Sequence, residues 1–91
     1  MRIRWTVPAA QDLENIKSYL IRQYPQFAEP TVRTIYQRIR SLKTTPHKGR
    51  PGQRSGTREL VLTPLPYLVV YAVKPEFIEI LHINHGAQDW R

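Results

Sequence analysis

The stretch PYLVVYAVKPEFIEILHI, residues 66–83, decides the fold. Two runs rich in Val, Ile, Tyr and Phe flank Lys74-Pro75-Glu76, so they read as strands Tyr67–Val73 and Phe77–Asn84 joined by a tight turn. A third strand, Arg58–Leu62, precedes them across Thr63-Pro64-Leu65-Pro66. Links this short predict an antiparallel meander. The last strand carries apolar residues at both parities, Ile78 and Ile80 against Leu81 and Ile83. One set is expected in the core, and the other on a partly exposed face open to a partner.

Upstream, the period changes from two to three or four. Ala9, Leu13, Ile16, Leu20 and Tyr24 mark an amphipathic helix from Pro8 to about Tyr24. Pro25 ends it, because the residue before a proline avoids helical geometry. Ala28, Val32, Ile35, Ile39 and Leu42 give a second helix from about Phe27 to Lys43, with Pro30 in its first turn. The short link makes the pair an antiparallel hairpin. Met1 to Thr6 reads as a first strand, with Ile3 and Trp5 on one side and Arg2 and Arg4 on the other. The expected fold is therefore α+β and two-layered, with the helical hairpin covering a mainly antiparallel sheet. Pattern alone leaves open whether the first strand joins the sheet's edge or its middle.

The chain has 91 residues, one domain's worth, with 14 Lys and Arg against 7 Asp and Glu. A net charge of +7 favours an anionic partner. With no cysteine there is neither a disulfide framework nor a thiolate metal site. His82 and His85, three apart on a strand, point to opposite faces, so no metal is expected. Neither a signal-peptide pattern nor an apolar run of membrane-spanning length is present, which predicts a soluble cytoplasmic protein without membrane contact. Residues 44–57 form a loop rich in Pro, Gly and cations, free of acids. Its glycines do not make a phosphate loop, since no Gly-Lys-Ser or Gly-Lys-Thr follows a strand.

Taken in order, several pieces resemble the ParE/RelE superfamily of type II toxin–antitoxin toxins over nearly the whole chain. They are Ala10, Asp12-Leu13 and Ile16; Leu42 with Pro46; Gly49-Arg50-Pro51; Gly56-Thr57-Arg58-Glu59-Leu60; Pro66-Tyr67; Val70-Tyr71; and His85-Gly86-Ala87-Gln88-Asp89-Trp90. The likeness is closer to the ParE-like branch. It implies a β-α-α-β-β-β toxin domain spanning the chain, neutralised by a cognate antitoxin, with no cofactor. Operator DNA would be met only through the antitoxin. The implied target is DNA gyrase in the ParE branch and ribosome-bound mRNA in the RelE branch.

Metal-free RNA cleavage needs a base, an acid and cations at the phosphate. RelE-like enzymes place Lys and Arg on the central strands and a Tyr or His near the C-terminus. Here Arg58 keeps the first cation of that pattern, but Leu60 stands at the second. Leu68 follows Tyr67 where the family carries its arginine. Arg58 and His85 are the candidates if the chain is a nuclease. The departures favour a toxin that acts by binding without catalysis, and the resemblance implies DNA gyrase as its target; the alternatives are a RelE-like mRNA endonuclease and an inactive co-repressor module. The expected target-binding residues are Lys48, Arg50, Arg54, Arg58, His85, Gln88, Trp90 and Arg91. The expected antitoxin-binding residues are Leu13, Ile16 and Leu20, at the seam between the hairpin and the sheet, with Arg33 and Arg40 on a helical surface stripe. Arg58 has an equally good alternative, pairing with Glu59 or another acid.

Overall fold

A computed structural model of the chain describes residues 1–86. The elements are β1 (Arg2–Trp5), α1 (Val7–Gln23), α2 (Pro25–Arg40), a 3₁₀ turn (Ser41–Lys43), β2 (Arg50–Pro51), β3 (Thr57–Val61), β4 (Tyr67–Val73) and β5 (Phe77–His85). They form the expected two layers, with α1 and α2 packed on a five-stranded sheet of order β1-β5-β4-β3-β2. β3, β4 and β5 are the expected antiparallel meander. β1 takes the edge and runs parallel to β5, with Ile3 opposite Ile78 and Trp5 opposite Ile80. The two-residue β2 lies inside what the sequence presents as loop, and forms the other edge.

The two-faced reading of the last strand is corrected by a bulge. Val70 pairs with His82 and Tyr71 with Ile80, which leaves Leu81 as the extra residue. The extra residue shifts the parity, so Ile78, Ile80 and Ile83 all enter one core with Val69, Tyr71, Ile35 and Ile39. Leu81 alone of that apolar set faces the helix-free side, beside Val70.

The helix boundaries follow from their caps. Thr6 is the N-cap of α1, and its hydroxyl accepts from Ala9 N at 3.3 Å. Tyr24 leaves helical geometry ahead of Pro25, and α2 starts at Pro25 itself, two residues earlier than expected. Pro30 therefore lies inside α2 instead of in its first turn. It withholds one N–H from the carbonyl of Gln26, an exposed residue near the helix start, where solvent can take the place of the lost donor. The tail expected as helix to Lys43 tightens into the 3₁₀ turn, which buries Leu42 completely.

β1 stops opposite Ile80, but β5 continues to His85. Two side chains close the edge that this exposes. Thr6 Oγ1 donates toward the carbonyls of Ile80 (2.8 Å) and Leu81 (3.2 Å), and Asp12 Oδ2 accepts from Ile83 N at 3.0 Å. The same oxygen lies 3.1 Å from His82 Nδ1. Arg38 does the equivalent on β3, donating to the carbonyls of Val61 and Thr63. Replacing Asp12 by Ala strands a partly buried N–H, which should cost about 1–3 kcal/mol. Urea denaturation should show a lower midpoint for Asp12→Ala, whereas Gln11→Ala on the exposed flank of α1 should change stability by less than about 0.5 kcal/mol.

Candidate functional site

The acid-free loop is pinned to the sheet by a buried tyrosine. Tyr71 is fully buried on the helix side of β4. Its hydroxyl donates to Pro46 O at 2.7 Å and accepts from Gly49 N at 2.9 Å. Gly49 must lie this close: a Cβ there would stand 2.7 Å from the Tyr71 oxygen and 2.9 Å from Glu59 O. Arg58 lies opposite Tyr71 in register and donates to the carbonyls of Gly49 (2.7 Å) and His47 (3.2 Å). Beyond β2, Gly52 N bonds Thr57 O at 2.8 Å, and Gly56 turns the chain at φ 82°, where a side chain would be strained.

These contacts sort the expected target-binding cations. Arg58 gives its Nη1 to loop carbonyls, and among the described residues it pairs neither with Glu59 nor with another acid. Arg50 pairs with Glu59, whose carboxylate is almost wholly buried, at 2.9 Å. Lys48 and Arg54 are exposed, and Arg54 stands on the rim of a recess of about 560 Å³ on the helix-free face. That recess has Val70 and Leu81 among its lining residues, with Gln53, Thr57, Glu59, His82 and Asn84. His85 lies on the other face, its ring edge-on to Tyr67 at 5.7 Å, in a second recess with Asn15, Tyr19 and Asn84. Gln88, Trp90 and Arg91 fall outside the described residues.

Arg58 and His85, the pair a nuclease would need, are not brought together. They are separated by four residues along β4 and by two strand spacings, roughly 16 Å. The helix-free face has Leu68 between Val61 and Asn84, and Val70 between Glu59 and His82. Of the two leucines at expected cation positions, Leu68 thus lies on the helix-free face and Leu60, opposite Val69, is buried in the core. Among the described residues no cluster of His, Cys, Asp or Glu is suited to hold a metal ion.

The expected antitoxin seam is filled by the chain itself. Leu13 and Leu20 are buried, and Ile16 packs partly against the same core. The residues that do face outward on the hairpin are Arg33, which pairs with Glu29, and Arg40. Sequence reasoning missed the apolar groove on the hairpin's outer side, where Ile21, Ala28 and Val32 lie with Arg33. Ile21 is about half exposed there, and so are Tyr24 and Phe27, which flank the groove-lining Pro25 in sequence. The off-seam positions of Ile21 and Phe27 in the helical period were the available signal.

The family model for the ParE toxin of type II toxin–antitoxin systems matches residues 3–90. The protein Y4kP of Sinorhizobium fredii is 38% identical over 89 residues, covering 98% of this chain and 92% of that one. Toxin RelE2 of Caulobacter vibrioides is 31% identical over 87 residues, covering 96% and 97%. Among solved structures, a chain of the chromosomal ParDE toxin–antitoxin system of P. aeruginosa superposes with a TM-score of 0.85 at 31% identity, over 93% of this chain and 95% of that one. A chain of the RelBE2 toxin–antitoxin complex of Mycobacterium tuberculosis shares the fold, with a TM-score of 0.59 at 22% identity, over 92% and 95%.

Burial holds the Tyr71 phenol above its ordinary value near 10, against the opposing effects of the Gly49 hydrogen bond and the Arg58 charge. Tyr67 is raised too, by burial and then by Tyr19. A raised folded-state value stabilises the fold below pH 10 and loses that contribution as pH climbs past it, because only the unfolded phenol ionises freely. Denaturation midpoints should therefore fall from about pH 10 upward. Tyr71→Phe should flatten that fall, and at neutral pH should cost about 1–2 kcal/mol through the stranded Gly49 N–H and Pro46 carbonyl.

Proposed function

This chain belongs to the ParE family of type II toxin–antitoxin toxins, and we propose that it acts by binding DNA gyrase without catalysis of its own. One observation carries the choice of binding over cleavage. Of the strand positions where the nuclease pattern places cations, only Arg58 carries one; the other two are Leu60, buried in the core, and Leu68, also buried. Arg58 commits its Nη1 to the loop's own carbonyls. A developing phosphorane would find no cation at either leucine position to stabilise it. Gyrase as the target rests on membership of the ParE family.

The contact surface in this reading is the pinned loop, through Lys48 and the rim residue Arg54, together with the end of β5 at His85. Pinning matters because a loop already ordered loses little entropy on binding. The antitoxin is a separate chain, as in the complexes of the structural neighbours. Its docking place is the outer groove of the hairpin, where exposed Ile21, Tyr24 and Phe27 offer anchors and Arg33 offers charge. An extended segment can also pair with the outer edge of β1, the sheet edge that neither Arg38 nor Asp12 covers.

Purified, antitoxin-free protein should abolish supercoiling of relaxed plasmid by gyrase and ATP, or accumulate double-strand breaks. Lys48→Ala/Arg54→Ala should weaken that inhibition about tenfold or more while leaving the urea midpoint unchanged. Unimpaired gyrase together with discrete mRNA cuts in translating ribosomes would replace this reading with the RelE-like one. Unimpaired gyrase without cuts, and no growth arrest on induction, would leave an inactive co-repressor.

A further inference from the structure

One end of the sheet gathers cations from four separate parts of the chain. Arg2 opens β1 opposite Phe77. Lys74 lies in the β4–β5 turn, its N–H bonded to Phe77 O at 2.8 Å. One strand spacing and one turn put the Cα atoms of Arg2 and Lys74 within roughly 12 Å of each other. Lys43 ends the 3₁₀ turn, and its carbonyl lies 3.4 Å from the Met1 nitrogen. Lys48 belongs to the segment that Tyr71 holds over the same end of β4. These residues lie 41 or more positions apart in part, as Arg2 and Lys43 do, so no window of the sequence displays the cluster.

The side chains of Arg2, Lys43, Lys48 and Lys74 are exposed, and none has an ion-pair or hydrogen-bond partner among the described residues. Other arginines of the chain are committed: Arg33 to Glu29, Arg50 to Glu59, Arg38 and Arg58 to carbonyls, Arg4 to the ring of Phe77. Glu76 is the one carboxylate in the β4–β5 turn itself. Of the large exposed apolar side chains, Ile21, Tyr24, Phe27 and Tyr36 belong to the helical hairpin, and Met1, beside Lys43, is the one at this end of the sheet among the described residues. Protein interfaces are depleted in lysine and need apolar anchors. A lysine-rich patch with Met1 as its single large exposed apolar side chain and no aromatic anchor among the described residues suits evenly spaced phosphates better than an acidic polypeptide.

We propose that this end of the sheet binds the phosphate backbone of nucleic acid directly and without sequence preference. The surface differs from the target-binding surface above in Arg2, Lys43 and Lys74, and it does not depend on gyrase being the target. In a toxin–antitoxin complex it would let the toxin chain hold nucleic acid beside whatever its partner contacts.

Fluorescence anisotropy of the purified full chain with a labelled 16-base-pair duplex, and with a single-stranded RNA of equal length, at a series of salt concentrations tests this. Four phosphate contacts predict a log–log salt slope of about −3.6 on duplex, hence roughly 100-fold weaker binding at 200 mM than at 50 mM salt. Lys43→Ala/Lys74→Ala should flatten the slope by about 1.8 and weaken binding at low salt by at least about tenfold. Lys17→Ala/Arg22→Ala removes the same charge from α1 and should leave the slope within about 0.5 of the parent. The strand form that binds tighter identifies the natural ligand's form. An unchanged slope in the Lys43/Lys74 variant would overturn the assignment, as would an equal loss in the α1 variant. Displacement by polyglutamate as effective per charge as by unlabelled duplex would assign the patch to an acidic protein instead. Urea midpoints of both variants confirm that the comparison is between folded proteins.

Discussion

β1 ends opposite Ile80, but β5 runs on to His85, so the last residues of β5 would present an open strand edge under the start of α1. An edge of that kind recruits other strands or leaves buried backbone unpaired, and both carry a cost. The chain meets the difficulty at the point where strand becomes helix. Thr6 caps α1 with one side of its hydroxyl and donates toward the Ile80 and Leu81 carbonyls with the other. One turn later Asp12 accepts the Ile83 N–H. These contacts fix how α1 crosses the sheet. The placement of Leu13, and through the hairpin that of α2, follows from them.

A second set of contacts does for the cationic loop what Thr6 and Asp12 do for the edge. Tyr71 reaches from the core to Pro46 and Gly49, Arg58 ties the same segment from the side, and Arg50 is matched by the buried Glu59. Each cation so used is subtracted from the surface available to a target. The loop's positive charge is thus smaller than its composition suggests, but its shape is set before any partner arrives. Lys48 and Arg54 are presented on a fixed support, which favours recognition by binding over a mobile loop that must order itself.

Most of the layout was legible in the residues. The three-to-four spacing of Ala9, Leu13, Ile16 and Leu20 and the alternating runs around Lys74-Pro75-Glu76 locate both helices and the meander. Two things were not legible for physical reasons. The bulge at Leu81 is a one-residue insertion in pairing, and nothing in a run of Ile, Leu, His and Ile distinguishes a bulged strand from a regular one. Partner choice among charged residues depends on three-dimensional neighbours, so Arg58, Arg50 and Lys48 look alike in sequence yet bond carbonyls, a carboxylate and solvent. The antitoxin seam failed for a related reason. Leu13 and Leu20 have the period of a binding stripe, but it is the period of any helix facing its own sheet. Resemblance to the ParE family, carried by the order of many weak pieces, survived where single residues misled.

A small basic toxin thus keeps a hydrophobic core under its hairpin, covers the unpaired stretches of β3 and β5 with three polar side chains, and offers a loop whose conformation is set in advance. Native-state hydrogen exchange at the Gly49 and Ile83 amides tests that central constraint most directly. Both should exchange orders of magnitude more slowly than the amide of exposed Gly56, through openings that approach global unfolding. Exchange at Gly49 as fast as at Gly56 would contradict a loop held in place by Tyr71.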